Sequence, residues 1–229
     1  MPAYEVMQAR WAVSDQVQTR VLGKEQGLDL SYPWQELRQV HGTRVLCLDS
    51  EPDSGTLPEA DALYTRLENV VCAIRTADCL PVFLASADGS EVALAHAGWR
   101  GLAAGVLENS LACFRAPRSA IHAWFGPAIG PCHFEVGEDV FQAFLQAAPS
   151  SCRQSTARAF EPGRQAGKWQ ADLYALAGIR LQAAGLDAAH ISGGGLCTYC
   201  DAENFHSYRR DGEQGGRIMS LIWRQPISR

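Results

Sequence analysis

The sequence has little of what nucleic-acid-binding, membrane or secreted proteins require. Its 229 residues carry 20 Lys and Arg against 25 Asp and Glu, and this acidic balance argues against a nucleic-acid partner. No run approaches the roughly 20 apolar residues that a membrane-spanning helix needs. The first residues include Glu5 and no long apolar core, so we expect no signal peptide and a cytoplasmic protein. The expected partners are therefore small molecules rather than nucleic acid or a membrane, and the sequence leaves the oligomeric state open.

The sequence also lacks a recognisable structural zinc motif, although it contains eight cysteines. Only Cys197 and Cys200 are closely spaced, and a structural zinc site is usually marked by a second such pair or by two histidines at short spacing. The pair follows a run of glycines instead of opening a helix, which disfavours a redox role. We therefore predict a structural role for Cys197 and Cys200. For the same reason of spacing, we predict no ligand role for Cys132 or His133.

Hydrophobic residues make up 47% and charged residues 20% of the chain, which is typical of a globular protein. Apolar patterns predict strands, a hairpin with Asp88 and Gly89 at its tip, and three helices. The predicted strands lie within 37–49, 60–65, 70–76, 80–86, 91–98, 122–130, 190–200 and 216–224, of which 122–130 ends in a loop and 190–200 is interrupted by glycines. The predicted helices cover 101–114, 139–148 and 172–184. Because strands and helices do not alternate strictly, we expect an α/β or α+β fold with a mixed sheet. We treat residues 1–229 as one domain.

Reactive side chains occur in three segments where a predicted strand meets glycine or proline. The segments are QVHG at 39–42, TADCLP at 76–81 and AHAGWRG at 95–101, and they contain His41, Cys79 and His96. Two imidazoles and a thiolate are suitable zinc ligands, and three protein ligands leave a coordination position for water or substrate. Such an ion lowers the pKa of a bound water to roughly 7. Asp78, beside the thiol, is a candidate to orient a ligand or carry a proton.

These segments resemble the YfiH-type family, whose members carry the names purine nucleoside phosphorylase, polyphenol oxidase (laccase) or peptidoglycan editing factor. The resemblance also rests on ADALYT, GPAIGPCHFEVG, ADLYALA and FHSYRRDGEQGGRIMSLIW, which follow in the family's order. It implies a layered α/β fold with a mixed-sheet core flanked by helices. It also implies that His41, Cys79 and His96 bind zinc and take part in catalysis.

The activity implied by the resemblance is purine nucleoside chemistry. It comprises phosphorolysis of adenosine, inosine, guanosine and methylthioadenosine, together with deamination of adenosine. The partners would then be a nucleoside and phosphate. Phosphate requires cationic donors, for which Arg100, Arg209 and Arg210 are candidates because guanidinium pairs bidentately with phosphate. Glu135 is a candidate proton carrier or ion-pair partner at the substrate.

Other functions use the same residues. Cys79 could act without metal as a thiolate nucleophile activated by His41 or His96, as in an amidase acting on peptidoglycan precursors. Copper is an alternative ion, because two histidines and a cysteine are also the ligands of a blue copper site. A multicopper oxidase needs many more imidazoles than the six histidines of this chain, so any polyphenol oxidation is expected to be a side reaction. A non-catalytic binding module is the remaining alternative.

The amino-terminal part departs from the family pattern. Family members usually carry a Gly-Gly-Val-Ser turn, an Asn-Leu-Gly segment and a His-Val-Gly-Asp segment upstream of the first histidine motif. Residues 11–37 contain none of these. We therefore expect the part from about 1 to 37 to be abbreviated, which would affect the substrate pocket more than the three-ligand site.

Overall fold

The computed structural model describes residues 7–24, 31–52 and 55–226 of the chain. Its strands are β1 Val17–Leu22, β2 Trp34–Gln35, β3 Val45–Leu48, β4 Ala62–Thr65, β5 Val71–Thr76, β6 Leu80–Ser86, β7 Val92–Ala97, β8 Ile121–Phe125, β9 Glu135–Gly137, β10 Phe160–Pro162, β11 Lys168–Ala171, β12 Ile191–Gly193 and β13 Ile218–Arg224. Its α-helices are α1 Trp99–Ala104, α2 Val106–Ala112, α3 Glu138–Ala147, α4 Arg153–Arg158, α5 Leu173–Ala183 and α6 Tyr208–Asp211.

The central layer is a six-stranded mixed sheet in the order β12-β8-β6-β7-β4-β3. Strands β6 and β7 are buried along their whole length, which explains why their sequences are nearly all apolar. They form the predicted hairpin, and Gly89 at its tip has a φ of 73°. The Asp88 carboxylate stabilises the tip by accepting hydrogen bonds from the Ser86 hydroxyl and the Ser90 amide at 2.6 and 3.0 Å.

Two different layers cover this sheet. Alternate residues of β6 and β7, such as Leu84 and Ala95, pack against the helices. The intervening residues, such as Phe83 and Leu94, pack against a second sheet with the order β1-β13-β5-β2. The expected mixed α/β fold is confirmed, and the structure adds that helices cover one face of the core sheet while a sheet covers the other.

The helix predicted over 101–114 is divided in two. Gly105 has a φ of 106°, a left-handed conformation that ends α1 and precedes α2. The other two predicted helices correspond to α3 and α5. The side chain of Asp172 caps α5 by accepting a hydrogen bond from the Ala175 amide at 3.0 Å.

A third, small antiparallel sheet has the order β10-β11-β9. Strand β9 begins at Glu135, directly after the loop that follows β8. Within the described residues, no helix is both long and apolar enough to span a membrane.

Candidate metal centre

His41, Cys79 and His96 come together although they lie far apart in the sequence. His41 lies in the loop before β3, Cys79 directly precedes β6, and His96 is near the end of β7. One ligand atom from each lies within 4.8 Å of the other two, and the Cys79 sulfur is 3.8 Å from His41 Nε2. The three side chains therefore form a group that could hold a metal ion.

The backbone positions of the group are unusual. His41 has a φ of 59° and Asp78 a φ of 87°, values that non-glycine residues adopt rarely. Such conformations persist only where surrounding contacts hold them. These conformations turn the chain at His41 and directly before Cys79, and the His41 imidazole and the Cys79 thiol face each other.

Asp61 supplies the contacts that hold the first histidine loop. Its side chain is fully buried, and its carboxylate accepts hydrogen bonds from the amides of Val40, His41 and Gly42 at 3.2, 2.8 and 2.7 Å. The same carboxylate lies 2.8 Å from Nδ1 of His96. A carboxylate bound to one ring nitrogen fixes the orientation of the imidazole and leaves the other nitrogen for a metal.

Gly98 allows the three segments to approach each other. A Cβ at this position would lie 2.7 Å from Cδ2 of His41 and 3.1 Å from the Cys79 sulfur. Gly101 is equally restricted, because its Cβ would lie 2.6 Å from the carbonyl oxygen of Gly42. The glycines of the AHAGWRG segment thus make room for the histidine loop.

The electrostatics of the group favour an ionised sulfur. Burial raises the pKa of the Cys79 thiol, but its contacts with His41 and His96 outweigh burial and lower this pKa to about 6. Burial lowers the pKa of His96, whereas its bonds to Asp61 and Cys79 raise it to about 9. Burial raises the pKa of Asp61, and the hydrogen bond with His96 and those from backbone amides bring it below its ordinary value. A thiolate is the form of cysteine that binds metal ions and attacks electrophiles.

The group opens into a cleft of about 600 Å³, within the range of small-molecule sites. The cleft is lined by Leu37, Gln39, His41, Arg75, Thr76, Ala77, Asp78, Cys79, His96, Ile129, Phe134, Tyr208, Arg209 and Arg217. Its wall therefore combines apolar side chains with three arginines, and one of these, Arg75, is paired with Glu36 at 2.7 Å.

Asp78 lies at the cleft, as expected from its place beside Cys79, whereas Glu135 does not line it. Asp78 lines the cleft, but its carboxylate accepts hydrogen bonds from the Thr198 hydroxyl at 2.6 Å and the Arg209 amide at 2.7 Å. It therefore joins the 198 and 209 segments to the cysteine turn. Glu135 is not among the residues that line the cleft, and its carboxylate accepts a hydrogen bond from the Arg164 amide at 3.4 Å.

The three arginines predicted to bind phosphate lie in different surroundings, and one of them lines the cleft. Arg209 lines the cleft, and its Nη1 donates to the carbonyl oxygens of His133 and Glu135 at 3.2 and 3.1 Å. Arg100 does not line the cleft, and its guanidinium lies over the Trp99 ring, 4.4 Å from the centroid.

Arg210 is held by its own neighbours. It pairs with Asp211 at 2.8 Å and donates to the carbonyl oxygens of Thr198, Tyr199 and Phe205. Its charge predicted a role at phosphate, whereas its contacts are those of a residue that fixes a loop.

Two residues of the site, Asp61 and Arg217, were not among the site residues predicted from the sequence. Asp61 lies in the ADALYT segment, and an acid that begins an otherwise apolar strand was the available signal. Arg217 directly precedes β13 and lines the cleft beside Tyr208, with its guanidinium 5.9 Å from the Tyr208 ring centroid.

Known proteins resemble the chain over most of its length, under several different names. Residues 4–225 match a family model described as multi-copper polyphenol oxidoreductase laccase. The chain is 48% identical over 187 residues to a protein of Escherichia coli (strain K12) named purine nucleoside phosphorylase YfiH, covering 82% of this chain and 72% of that protein. It is 36% identical over 200 residues to adenosine deaminase RL5 of an unknown prokaryotic organism, covering 82% of this chain and 74% of that protein.

The fold has a solved counterpart. The crystal structure of Neisseria meningitidis protein NMB0706 superposes with a TM-score of 0.84 at 36% sequence identity, covering 96% of this chain and 99% of that one. The names of the sequence relatives support an enzyme of this family.

Proposed function

This chain belongs to the YfiH-type family, and from that membership we propose that it is a zinc-dependent purine nucleoside enzyme. The proposed reactions are phosphorolysis of adenosine, inosine, guanosine and methylthioadenosine, and deamination of adenosine. Relatives named for both kinds of reaction support this assignment.

The observation that carries the proposal is the position of the His41, Cys79 and His96 group at the cleft. The donor set fits zinc, since this ion accepts imidazole nitrogen and thiolate sulfur together and a three-ligand site keeps a position open for reactants. Asp61 meets a second requirement, because a ligating histidine usually donates its other ring N–H to a carboxylate.

When bound, zinc would supply a Lewis acid that activates water near neutral pH. The protein's own contribution is to hold the reactants. The carboxylate of Asp61 keeps a proton at Nδ1 of His96, which leaves Nε2 as the nitrogen free to ligate. Arg209 and Arg217 place positive charge in the cleft, where a phosphate or a ribose hydroxyl could be bound.

The apolar part of the cleft suits a purine base. Phe134 is buried but contributes to the cleft wall, and Tyr208 is about half exposed there. Flat rings of this kind offer stacking surfaces to a heterocycle. Phe205, in contrast, is 3% exposed and packs in the core between the sheets.

The residues do not fit a multicopper oxidase. Among the described residues, only two groups of three or more potential metal ligands occur, and neither has more than two histidines. His122 and His190 stack on each other with ring centroids 4.0 Å apart, away from the cleft residues. None of the residues that line the cleft is a methionine, the usual axial ligand of a blue copper site. Oxidation of phenols is therefore proposed as a side reaction at most.

A second candidate function is a metal-independent cysteine hydrolase. Its support is geometric: the Cys79 sulfur lies within 4.8 Å of a ring nitrogen of His96, and Nδ1 of His96 lies 2.8 Å from the Asp61 carboxylate. This order of thiol, imidazole and carboxylate is that of a cysteine nucleophile with its base and its orienting acid. Metal content separates the candidates, because a zinc-bound thiolate is a ligand and a hydrolase thiolate must be free.

The test is incubation of the purified, metal-quantified protein with adenosine, with and without phosphate. Chromatography distinguishes adenine from inosine and hypoxanthine. We expect adenine only with phosphate, inosine in both samples, and hypoxanthine where the two reactions combine. C79A and H96A are expected to abolish all three products, whereas C152A serves as the control because Cys152 lies outside both cleft and ligand groups. Absence of turnover by zinc-loaded protein in both samples would refute the nucleoside assignment.

A further inference from the structure

A second group of potential metal ligands lies outside the cleft. Cys132 and His133 are in the loop between β8 and β9, and Cys197 and Cys200 are in the turn that follows β12. One ligand atom from each of the four residues lies within 4.8 Å of the others. None of the four lines the cleft of the first site.

The distances within this group match a tetrahedral zinc site. The sulfur of Cys132 lies 3.6 Å from the sulfurs of both Cys197 and Cys200. Nδ1 of His133 lies 3.3 Å from the sulfurs of Cys132 and Cys200. Zn–S bonds of about 2.3 Å and Zn–N bonds of about 2.0 Å in a tetrahedron would separate two sulfurs by about 3.8 Å and a sulfur and a nitrogen by about 3.5 Å. Small shifts of the side chains would therefore accommodate one ion.

Backbone contacts place the thiols independently of any ion. The amide of Gly130 donates a hydrogen bond to the Cys197 sulfur at 3.3 Å. Cys197 forms a parallel bridge with Ala128, extended by a 3.0 Å bond from the Thr198 amide to the Ala128 carbonyl oxygen. Amide donors to a thiolate stabilise its negative charge, which a zinc-bound cysteine carries.

The histidine is also fixed in the orientation that binding requires. Its ring stacks on Tyr199, with centroids 3.9 Å apart and planes inclined by 15°. The stacking directs Nδ1 of His133 towards the sulfurs, so three sulfurs and one nitrogen point to a common centre.

We propose that Cys132, His133, Cys197 and Cys200 bind a second zinc ion in a closed, structural site. A Cys₃His set fills all four tetrahedral positions and leaves none for substrate. Binding would release the thiol protons to solvent, so the three sulfurs ligate as thiolates.

The consequence of the second site is to fix one wall of the cleft. The carbonyl oxygen of His133 accepts a hydrogen bond from Arg209, which lines the cleft. The Thr198 hydroxyl, next to Cys197, donates to Asp78 at 2.6 Å. An ion that joins the 132 and 197 segments would therefore hold Arg209 and Asp78 in register, although it takes no part in the chemistry.

The two sites can be separated by counting zinc in matched variants. Elemental analysis after dialysis should give two zinc ions per chain in the unmodified protein and one in H41A/C79A. The variant C132S/C200S should also retain one ion, and both of its substituted residues are exposed, which favours folding. C47S/C113S is the control, because these two sulfurs lie 3.7 Å apart elsewhere in the protein and should leave the count at two.

Cobalt gives a readout that does not depend on activity. Co²⁺-loaded H41A/C79A should show the intense visible and thiolate charge-transfer bands of a tetrahedral site with three sulfurs. These bands should be absent from the quadruple variant, in which C132S and C200S are introduced as well. Chelator should lower the melting temperature of H41A/C79A, whose remaining ion is the structural one, more than that of C132S/C200S, which keeps only the ion of the first site. Zinc-free H41A/C79A, or a disulfide among the three cysteines in freshly purified unmodified protein under reducing conditions, would overturn the proposal. Neither result bears on turnover at the first site.

Discussion

The buried carboxylate of Asp61 offers the sharpest test of how the first site is held. The substitution D61N keeps the shape of the side chain but replaces one acceptor oxygen by an NH₂ group. One carboxylate oxygen accepts from the His41 amide and contacts His96, and the other accepts from the Val40 and Gly42 amides. Whichever way the amide is oriented, its NH₂ faces donors that it cannot satisfy.

The magnitude follows from the number of donors affected. Two N–H groups beside the buried carboxylate lose their acceptor, at about 1–3 kcal/mol each, so we expect a loss of about 2–6 kcal/mol in the free energy of unfolding. If His96 responds by accepting at Nδ1, its Nε2 becomes protonated and cannot ligate, and loss of an orienting carboxylate typically weakens metal binding about 10–100-fold.

Urea denaturation measures the first effect, and zinc competition with a chromophoric chelator measures the second. The matched control is D187N, because Asp187 is a helix-capping residue at the surface, where Asn serves equally well. If D61N binds zinc as tightly as the unmodified protein and unfolds at the same urea concentration, then Asp61 does not organise the site and the reasoning is wrong.

Three further predictions concern the site and its surroundings. G98A should weaken zinc binding at least about tenfold, because the new Cβ would lie 2.7 Å from Cδ2 of the His41 imidazole. The control G178A should leave binding unchanged, because its Cβ would have no neighbour closer than 3.9 Å. Isothermal titration with zinc measures both affinities. R209M should reduce the rate of phosphorolysis about 10–100-fold and that of deamination much less, because one charge-assisted hydrogen bond to phosphate is worth about 1.5–3 kcal/mol. The control R100M should match the unmodified enzyme, because Arg100 does not line the cleft. Equal losses of both reactions in R209M would contradict a phosphate role. Y64F should lower the free energy of unfolding by about 1.5–3 kcal/mol, because the buried Tyr64 hydroxyl donates to the Glu91 carboxylate, with kcat unchanged in the nucleoside assay.

Local signals in the sequence predicted much of the fold. The Asp88-Gly89 turn predicted the β6–β7 hairpin, and the capping aspartate at 172 predicted the start of α5. The break at Gly105 was not predicted, because the apolar spacing of Leu102, Val106 and Leu107 continues across it as in one helix. A single left-handed glycine interrupts the helix without interrupting the pattern.

Long-range pairing was harder to predict. The strand predicted at 216–224 exists as β13, but its partner β1 was missed, because the segment VQTRVL alternates polar and apolar residues over only six positions. The second sheet is built on the pairing of β1 with β13. Because this pairing was not predicted, helices were expected to flank the core sheet where the second sheet lies.

The candidate ligands and their supports differ in what sequence can reveal. His41, Cys79 and His96 are reactive residue types in distinctive segments, so their motifs identified them. The second group was missed because its residues come from two segments that are distant in the sequence, and short spacing marks only residues of one segment. The Ala128–Cys197 bridge brings the two segments together, and the group comprises Cys132, His133, Cys197 and Cys200.

The different roles of Arg209 and Arg210 could not be predicted from the sequence either. Arg209 and Arg210 are adjacent and chemically identical, so composition cannot distinguish them. They lie in one turn of helix, where successive side chains diverge by about 100°, and this places Arg209 at the cleft and Arg210 against the carbonyl groups of the 198–205 loop. Because a guanidinium bound to an acid and three carbonyl oxygens has little capacity left for a ligand, position within the helical turn, and not charge, decides which arginine can serve phosphate.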